Sequence, residues 1–305
     1  MNSYQVDQII IEALRNNKAV VALESTVITH GLPYPENLQL ALDMEKTIIN
    51  LGATPATISV IKGKVNIGTS LEDLEFIAQS KNLKKISIRD FGPAAAKEDS
   101  GGTTVAGTLA AANLAGIKVM ATGGIGGVHR RSKHDISTDL IQLSRTPMIL
   151  VCAGAKSILD LPATLEKLET LGIPVIGYKT NEFPAFYSKH SGLPVSAKAD
   201  SSKEVVKIAQ AHWKLGLQST ILVVAPPPDD IALDHLELEA VINEALDELE
   251  DKNIKGQAVT PYLLNAVKEK TNGKSLIANL GLLTNNASTA AQIAVDLAGT
   301  GKLTV

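Results

Sequence analysis

The stretch MILVCAGAKSILDLPATLEKLETLGIPVIGY, residues 148–178, decides the fold. Met148 to Cys152 is a compact hydrophobic run fit for a buried strand, Ser157 to Leu171 supplies a helix, and Pro174 to Tyr178 starts another strand. Strand, helix and strand in this order form the unit of a parallel sheet, because parallel neighbours need a crossover between them.

The same alternation extends outward in both directions. Upstream, Val20 to Leu23, Thr57 to Ile61, Lys84 to Ile88 and Ile117 to Thr122 read as strands. Tyr4 to Asn16, Pro35 to Asn50, Ser70 to Ser80, Thr104 to Leu114 and Asp139 to Leu143 read as helices, with His30 to Pro33 as a loop. Downstream, Lys203 to Leu215, Thr220 to Ala225 and Leu233 to Glu250 continue as helix, strand and helix. Lys62-Gly63 separates Thr57–Ile61 from Lys64–Ile67 by the two residues of a hairpin turn. From roughly Asp234 to Leu297 the chain is strand-poor and helix-rich. The expectation is an α/β fold: a mostly parallel central sheet flanked by helices, with a small antiparallel hairpin and a helix-rich C-terminal region. No Gly/Ser linker or charge block marks a boundary, so one domain over residues 1–305 is expected.

With 45% hydrophobic and 20% charged residues, the 305-residue chain has the balance of a globular protein. A formal charge of -3 provides no broad basic field for nucleic acid or an anionic membrane, so neither is expected as a partner. Cys152 is the only cysteine, which excludes an internal disulfide and a multi-cysteine metal cluster. No apolar run approaches the roughly 20 residues of a membrane span, and a cytoplasmic enzyme is expected.

Polar chemistry gathers where strands meet loops. Glu24, Ser25 and Thr26 follow the first apolar strand, where an open parallel sheet often builds a ligand crevice. Partial burial there would suit Glu24 to acid/base work, although a capping or ion-paired role is equally compatible. Lys85, Ser87 and Arg89 share one side only if their strand stays extended, and would then bracket a phosphate or form a solvated patch. Gly101 through Gly127 contains eight of the 23 glycines, flanked by Thr103 and Thr104, and suggests turns at positive φ or backbone amides around an anion. It matches neither standard nucleotide-binding glycine fingerprint.

Asp135, Ser137 and Asp139 could present oxygens to a hard divalent ion or simply start a helix. Lys156 follows a buried strand; it would attack a carbonyl carbon if desolvated beside another cation such as Lys85, or be a solvated first-turn lysine.

Together these segments resemble the pseudouridine-5′-phosphate glycosidase family, which includes indigoidine synthase A-like proteins. The resemblance is carried by ALEST at Ala22–Thr26, HGLPYP at His30–Pro35, GATPATI at Gly52–Ile58 and TGGIGGVHR at Thr122–Arg130. DISTDL at Asp135–Leu140, CAGAKSILDLP at Cys152–Pro162 and VTPYLL at Val259–Leu264 complete it, from about Ala13 to Ala298. It implies reversible cleavage of pseudouridine 5′-phosphate to uracil and ribose 5-phosphate with a divalent ion, typically Mn2+, and no organic cofactor.

By the same resemblance Glu24 is the proton donor and Lys156 the nucleophile at C1′ of an opened ribose. Lys85, Thr104, Val105, Ser137, Thr138, Asp139 and Asn279 contact substrate, and Asp135 is associated with the metal. A homotrimer and a metabolic partner, pseudouridine kinase, are also implied. Ile88, Arg131, Thr138 and Pro226 stand where arginine, glycine, alanine and asparagine are common in the family. A Schiff-base aldolase or lyase acting on another sugar phosphate, and a non-catalytic phosphosugar-binding protein, are the alternatives.

Overall fold

The apolar runs picked out in the sequence become the inner strands of one large sheet. The computed structural model describes residues 4–131, 135–252, 254 and 259–301. Its elements are β1 (Tyr4–Val6), α1 (Gln8–Arg15), β2 (Val20–Leu23), α2 (Glu36–Asn50), β3 (Thr54–Ile61), β4 (Lys64–Ile67), α3 (Leu71–Gln79), β5 (Lys84–Ile86), α4 (Phe91–Lys97), β6 (Gly101–Thr103), α5 (Val105–Leu114) and β7 (Val119–Ala121). They continue with β8 (Val128–His129), α6 (Thr138–Leu143), β9 (Ile149–Cys152), β10 (Leu159–Asp160), α7 (Leu161–Thr170), β11 (Val175–Tyr178), β12 (Ala197–Ala199), α8 (Ser202–Lys214), β13 (Ile221–Val224), α9 (His235–Asp251), α10 (Val259–Lys270) and α11 (Lys274–Ala298).

The sheet runs β1-β4-β3-β2-β7-β9-β13-β11-β12, with β6 joining β3 to β5. From β3 through β2 to β12 every pairing is parallel. β2, β9 and β13 are buried along their whole length, as expected of strands covered on both faces. The long strand β3 serves two partners in turn: its first half pairs with β2, and its second half pairs antiparallel with β4 and β6. Lys62 and Gly63, both at positive φ, close the expected hairpin. Helices flank the sheet, with α11 packing on β2, β7 and β9 and against α2 and α8.

The sequence reading needs correction at several boundaries. Tyr4–Val6 is a strand, because Asp7 caps the helix by accepting the Ile9 amide at 2.8 Å and thereby starts it at Gln8. β5 stops at Ile86, where Ser87 and Asp90 form a reciprocal capping box that bends the chain into a 3-10 turn, Ile88–Asp90, and on into α4. Gly101–Thr103, part of the glycine-rich stretch expected to form turns or an anion cradle, is strand β6. The loop expected at His30 to Pro33 is entered through a π-helical turn, Val27–Gly31, which takes in its first two residues.

Before α7, Leu159–Asp160 pairs antiparallel with β8, and Asp160 caps α7 through the Ala163 amide at 3.0 Å. Lys156 therefore precedes a strand and does not sit in a helical first turn.

The π-helical turn that follows Glu24 is tied down by buried Asn37, whose Nδ2 donates to the carbonyls of Ile28 at 2.8 Å and Ala78 at 2.9 Å. Asn37→Leu keeps the branched shape and the number of heavy atoms but leaves two inward carbonyls unpaired. It is expected to lower unfolding free energy by about 2 kcal/mol, read from urea denaturation.

Candidate active site

Three parallel strands end side by side, and the polar residues that follow them converge. Going along the chain, the sheet grows from β2 to β3 on one side and then returns to add β7 on the other. Such a reversal leaves a crevice beyond the carboxyl ends, where ligands bind in open α/β sheets. Glu24 follows β2, Thr122 and the glycines follow β7, and Lys156 lies just beyond β9. Lys85, on β5, reaches the same crevice.

The main cleft has a volume of about 300 Å3 and is bordered by Glu24, Lys85, Thr104, Val105, Asp135, Ser137, Thr138, Asp139 and Lys156. These are all the residues to which the family resemblance gives a role, except Asn279. A smaller cavity of about 60 Å3 shares Glu24, Thr26, Lys85 and Lys156 with the cleft and adds Gly123, Gly124, Phe186, Leu283 and Asn279. Glu24 and Lys156 thus face both spaces, the first polar and the second more apolar.

Glu24 is 9% exposed, and its Oε1 accepts a hydrogen bond from Thr122 Oγ1 at 2.9 Å. Burial holds its carboxyl above the usual glutamate value, opposed in part by the charge of Lys156 and the Thr122 bond. Lys85 is held below the ordinary lysine value by burial first and then by the charge of Lys156. His129, at the cleft wall, is lowered by burial against the opposing pull of Asp135. A carboxyl that holds its proton more tightly than an exposed glutamate and an amine that gives one up more readily thus lie within electrostatic reach of Lys156.

Asp139 organises the floor. It is 5% exposed, and its two oxygens accept the amides of Ala106 at 2.9 Å and Gly126 at 2.8 Å. Thr104 caps α5 through the Gly107 amide at 3.2 Å, and Ser137 caps α6 through the Asp139 amide at 3.2 Å. Gly126 is required for space: a Cβ there would collide with the Ser137 side chain and stand 2.9 Å from Asp139 Oδ2. Of the eight glycines between Gly101 and Gly127 only Gly116, after α5, has positive φ. The expected left-handed turns give way to tight backbone packing, and the amide of Gly126 serves a carboxylate of the protein.

Asp135 presents a half-exposed carboxylate to the cleft, with its Oδ2 4.0 Å from His129 Nδ1. Among the described residues no group of three or more His, Cys, Asp or Glu side chains comes together as a metal cage. One carboxylate in a polar cleft fits a hydrated divalent ion completed by water and substrate oxygens. Asp139, considered as a second ligand in the sequence, is already committed to two backbone amides.

Sequence reasoning placed Thr26 beside Glu24 at the expected crevice but gave it no role, although its buried Oγ1 has no hydrogen-bond partner among the described residues and it borders both cavities. It passed over Thr260 and Phe186. Thr26 and Thr260 lie inside motifs that the sequence had flagged; Phe186 carried no signal. Lys85, Ser87 and Arg89 all reach the cleft even though the strand breaks at Ile86. Arg131 takes φ 58°, a left-handed conformation natural to the glycine common there. Cys152 is buried and its thiol is pushed up to about 12, which makes it inert.

A parallel-sheet crevice that gathers a raised glutamate and a pair of lysines beside capped helix starts is the site of an α/β enzyme. The comparisons agree. The family described as indigoidine synthase A like protein matches residues 9–296, and the chain belongs to it. Pseudouridine-5′-phosphate glycosidases from Caldanaerobacter subterraneus subsp. tengcongensis and Brachyspira hyodysenteriae are 50% and 51% identical over 287 residues, covering 93% of this chain and 94% and 93% of theirs.

Among solved structures, an indigoidine synthase A-like protein from Thermotoga maritima superposes with a TM-score of 0.90 at 37% identity, covering 97% of both chains. The prealnumycin C-glycosynthase AlnA, solved in complex with ribulose 5-phosphate, also gives 0.90, at 39% identity and 97% coverage of both chains.

The lowered value of Lys85 has a measurable consequence. Burial opposes the charged form of Lys85 in the fold, so stability rises as pH climbs through the lowered folded value toward the ordinary 10.5. Lys85→Met is expected to melt higher than the unsubstituted protein at pH 7, with the gap closing toward pH 10.5, while losing turnover. Thermal melts over a pH series check the sign.

Proposed function

We propose that the chain reversibly cleaves the C-C glycosidic bond of pseudouridine 5′-phosphate, with water, to uracil and ribose 5-phosphate. The observation that carries this reading is the meeting of Glu24 and Lys156 at both a polar cleft and a smaller apolar cavity. The cleft suits a phosphosugar, with phosphate among Thr104, Val105, Ser137 and Thr138. The smaller cavity, with Asn279 in its wall, suits a flat base.

A C-C bond offers no glycosidic oxygen to protonate, so the two-carboxylate scheme of ordinary glycosidases does not apply. The ribose opens as the C1′-O4′ bond breaks and O4′ takes up a proton, and the Lys156 amine, giving up a proton, bonds to C1′. Glu24 then delivers a proton to the uracil carbon, the C1′-C bond breaks with its electron pair returning to the ring, and the nitrogen lone pair forms the C1′ iminium. Water adds to C1′, the C-N bond breaks, and ribose 5-phosphate leaves. In reverse, the same iminium is the electron sink for attack by the uracil carbon. The raised value of Glu24 keeps it a proton donor at higher pH than an exposed glutamate.

Asp135 would hold a divalent ion such as Mn2+, which supplies positive charge and ordered water at the cleft. The same reading makes the protein a homotrimer in the cytoplasm, beside a pseudouridine kinase that supplies its substrate. Among the described residues no helix is long and apolar enough to cross a membrane.

Incubation of the protein with pseudouridine 5′-phosphate and Mn2+ should release uracil and ribose 5-phosphate. No uracil, together with turnover of another sugar phosphate, would favour an aldolase or lyase instead. Borohydride reduction in the presence of ribose 5-phosphate should fix the sugar to Lys156, with Lys156→Ala unlabelled and inactive. Glu24→Gln should lose on the order of 10²- to 10⁴-fold in rate, the usual worth of a positioned general acid.

A further inference from the structure

Arg130 is the residue of the glycine-rich motif that the reaction above leaves unused. It is largely buried, with a side-chain exposure of 17%, and its guanidinium makes four hydrogen bonds. Nε donates to the Leu159 carbonyl and Nη2 to the Ser157 carbonyl, each at 3.0 Å. Nη1 and Nη2 donate to the two carboxylate oxygens of Glu239 on α9, each at 2.7 Å. The two carbonyls belong to residues one and three positions after Lys156.

We infer that the Arg130-Glu239 pair is a positioning device for Lys156, an inference that rests on the imine reading above. On its upstream side the Lys156 backbone is already fixed, because its amide donates to Ile125 at 3.1 Å and Ala155 bridges to Ile125. On its downstream side, Ser157 and Leu159 are 2% and 1% exposed, so their carbonyls need internal donors. Arg130 satisfies both at once, and its planar fork fixes their relative direction in a way a lysine would not. Glu239 neutralises the guanidinium and holds its plane bidentately.

The lysine is thereby suspended between the glycine-rich loop and α9, and a long flexible side chain is aimed from a backbone that cannot roll. Arg131 gives a contrast within the same turn: it pairs with Asp247 at 2.7 Å and Glu250 at 3.2 Å on α9, yet it is exposed and touches nothing near Lys156 in these bonds.

A positioning role predicts loss in the covalent step with substrate affinity retained, since misplacing a reacting group by about 1 Å can cost on the order of 10²-fold. The test compares Arg130→Lys, Arg130→Met, Glu239→Gln and, as a control, Arg131→Gly, all assayed well below their melting temperatures. Arg130→Met and Glu239→Gln should lower kcat about 10- to 100-fold with KM within about two-fold. The rate of borohydride trapping of ribose 5-phosphate on Lys156 should fall in parallel. Arg130→Lys should recover only part of the loss, and Arg131→Gly should match the unsubstituted protein.

Folded variants that trap and turn over at the unsubstituted rate, with only a lower melting temperature, would overturn the positioning role and leave a plain structural staple. If Arg130→Met does not fold, Glu239→Gln, which changes one atom and its charge, decides. Failure of the unsubstituted protein itself to form an adduct would overturn the imine reading and this inference with it. An adduct formed equally fast by all the variants overturns this inference alone.

Discussion

The site depends on one carboxylate that is held by the protein's own backbone. Asp139 starts a short helix, yet its oxygens are spent on the amide of Ala106, in the first turn of α5, and on the amide of Gly126, in the loop after β7. The glycine-rich loop and the start of α6 already meet through the Ser137 amide, which donates to the Gly127 carbonyl at 2.9 Å, and through the bridge of Val128 to Ile136; the Asp139 bonds add the start of α5 to them. With these bonds, the N-termini of α5 and α6 and the glycine-rich loop are fixed as one surface. The cost of burying a carboxylate is offset because each oxygen meets an amide at a helix start or turn, where donors are unpaired and the helix dipole favours negative charge.

Much of this arrangement was legible in the chain, for reasons that separate cleanly. The buried strands β2, β7, β9, β11 and β13 announce themselves because a strand covered on both faces must be continuously apolar, and Val20–Leu23 or Ile221–Val224 could hardly be anything else. The short strands were lost for the opposite reason. Gly101–Thr103 and Leu159–Asp160 pair through backbone groups alone, so their side chains record nothing of the pairing. Ile88 was drawn into a strand because the Ser87 and Asp90 capping box acts across three residues and outranks the local apolar alternation.

At the site, residue chemistry was visible but direction was not. Glu24 and Lys156 stand out as charges after apolar strands, whereas Asp139 and Asp135 look alike in the sequence and point to different tasks in the structure. One is turned inward to amides and the other is half-exposed at the cleft. The glycines were noticed for their density and explained by the wrong property. What Gly126 supplies is the absence of a Cβ against Ser137 and Asp139, a steric fact about a residue ten or more positions away. Neither the period of the sequence nor its composition can encode such a contact.

The last helix shows why the site cannot be localised to the central motifs. On α11, Asn279 and Asn286 lie seven residues apart, two helical turns, and so face the same way. Asn286 Nδ2 donates to the Thr122 carbonyl at 2.9 Å, and Thr122 in turn donates its hydroxyl to Glu24. Asn279 borders the small cavity beside the same glutamate. One face of one helix thus fixes the strand end whose hydroxyl bonds to Glu24 and also walls the small cavity that Glu24 borders. Because α11 is also packed against α2 and α8, seating this face requires elements from both ends of the chain. The surroundings of Glu24 are therefore set in part from the far end of the chain, through the Asn286 bond to Thr122, and are a property of the completed fold.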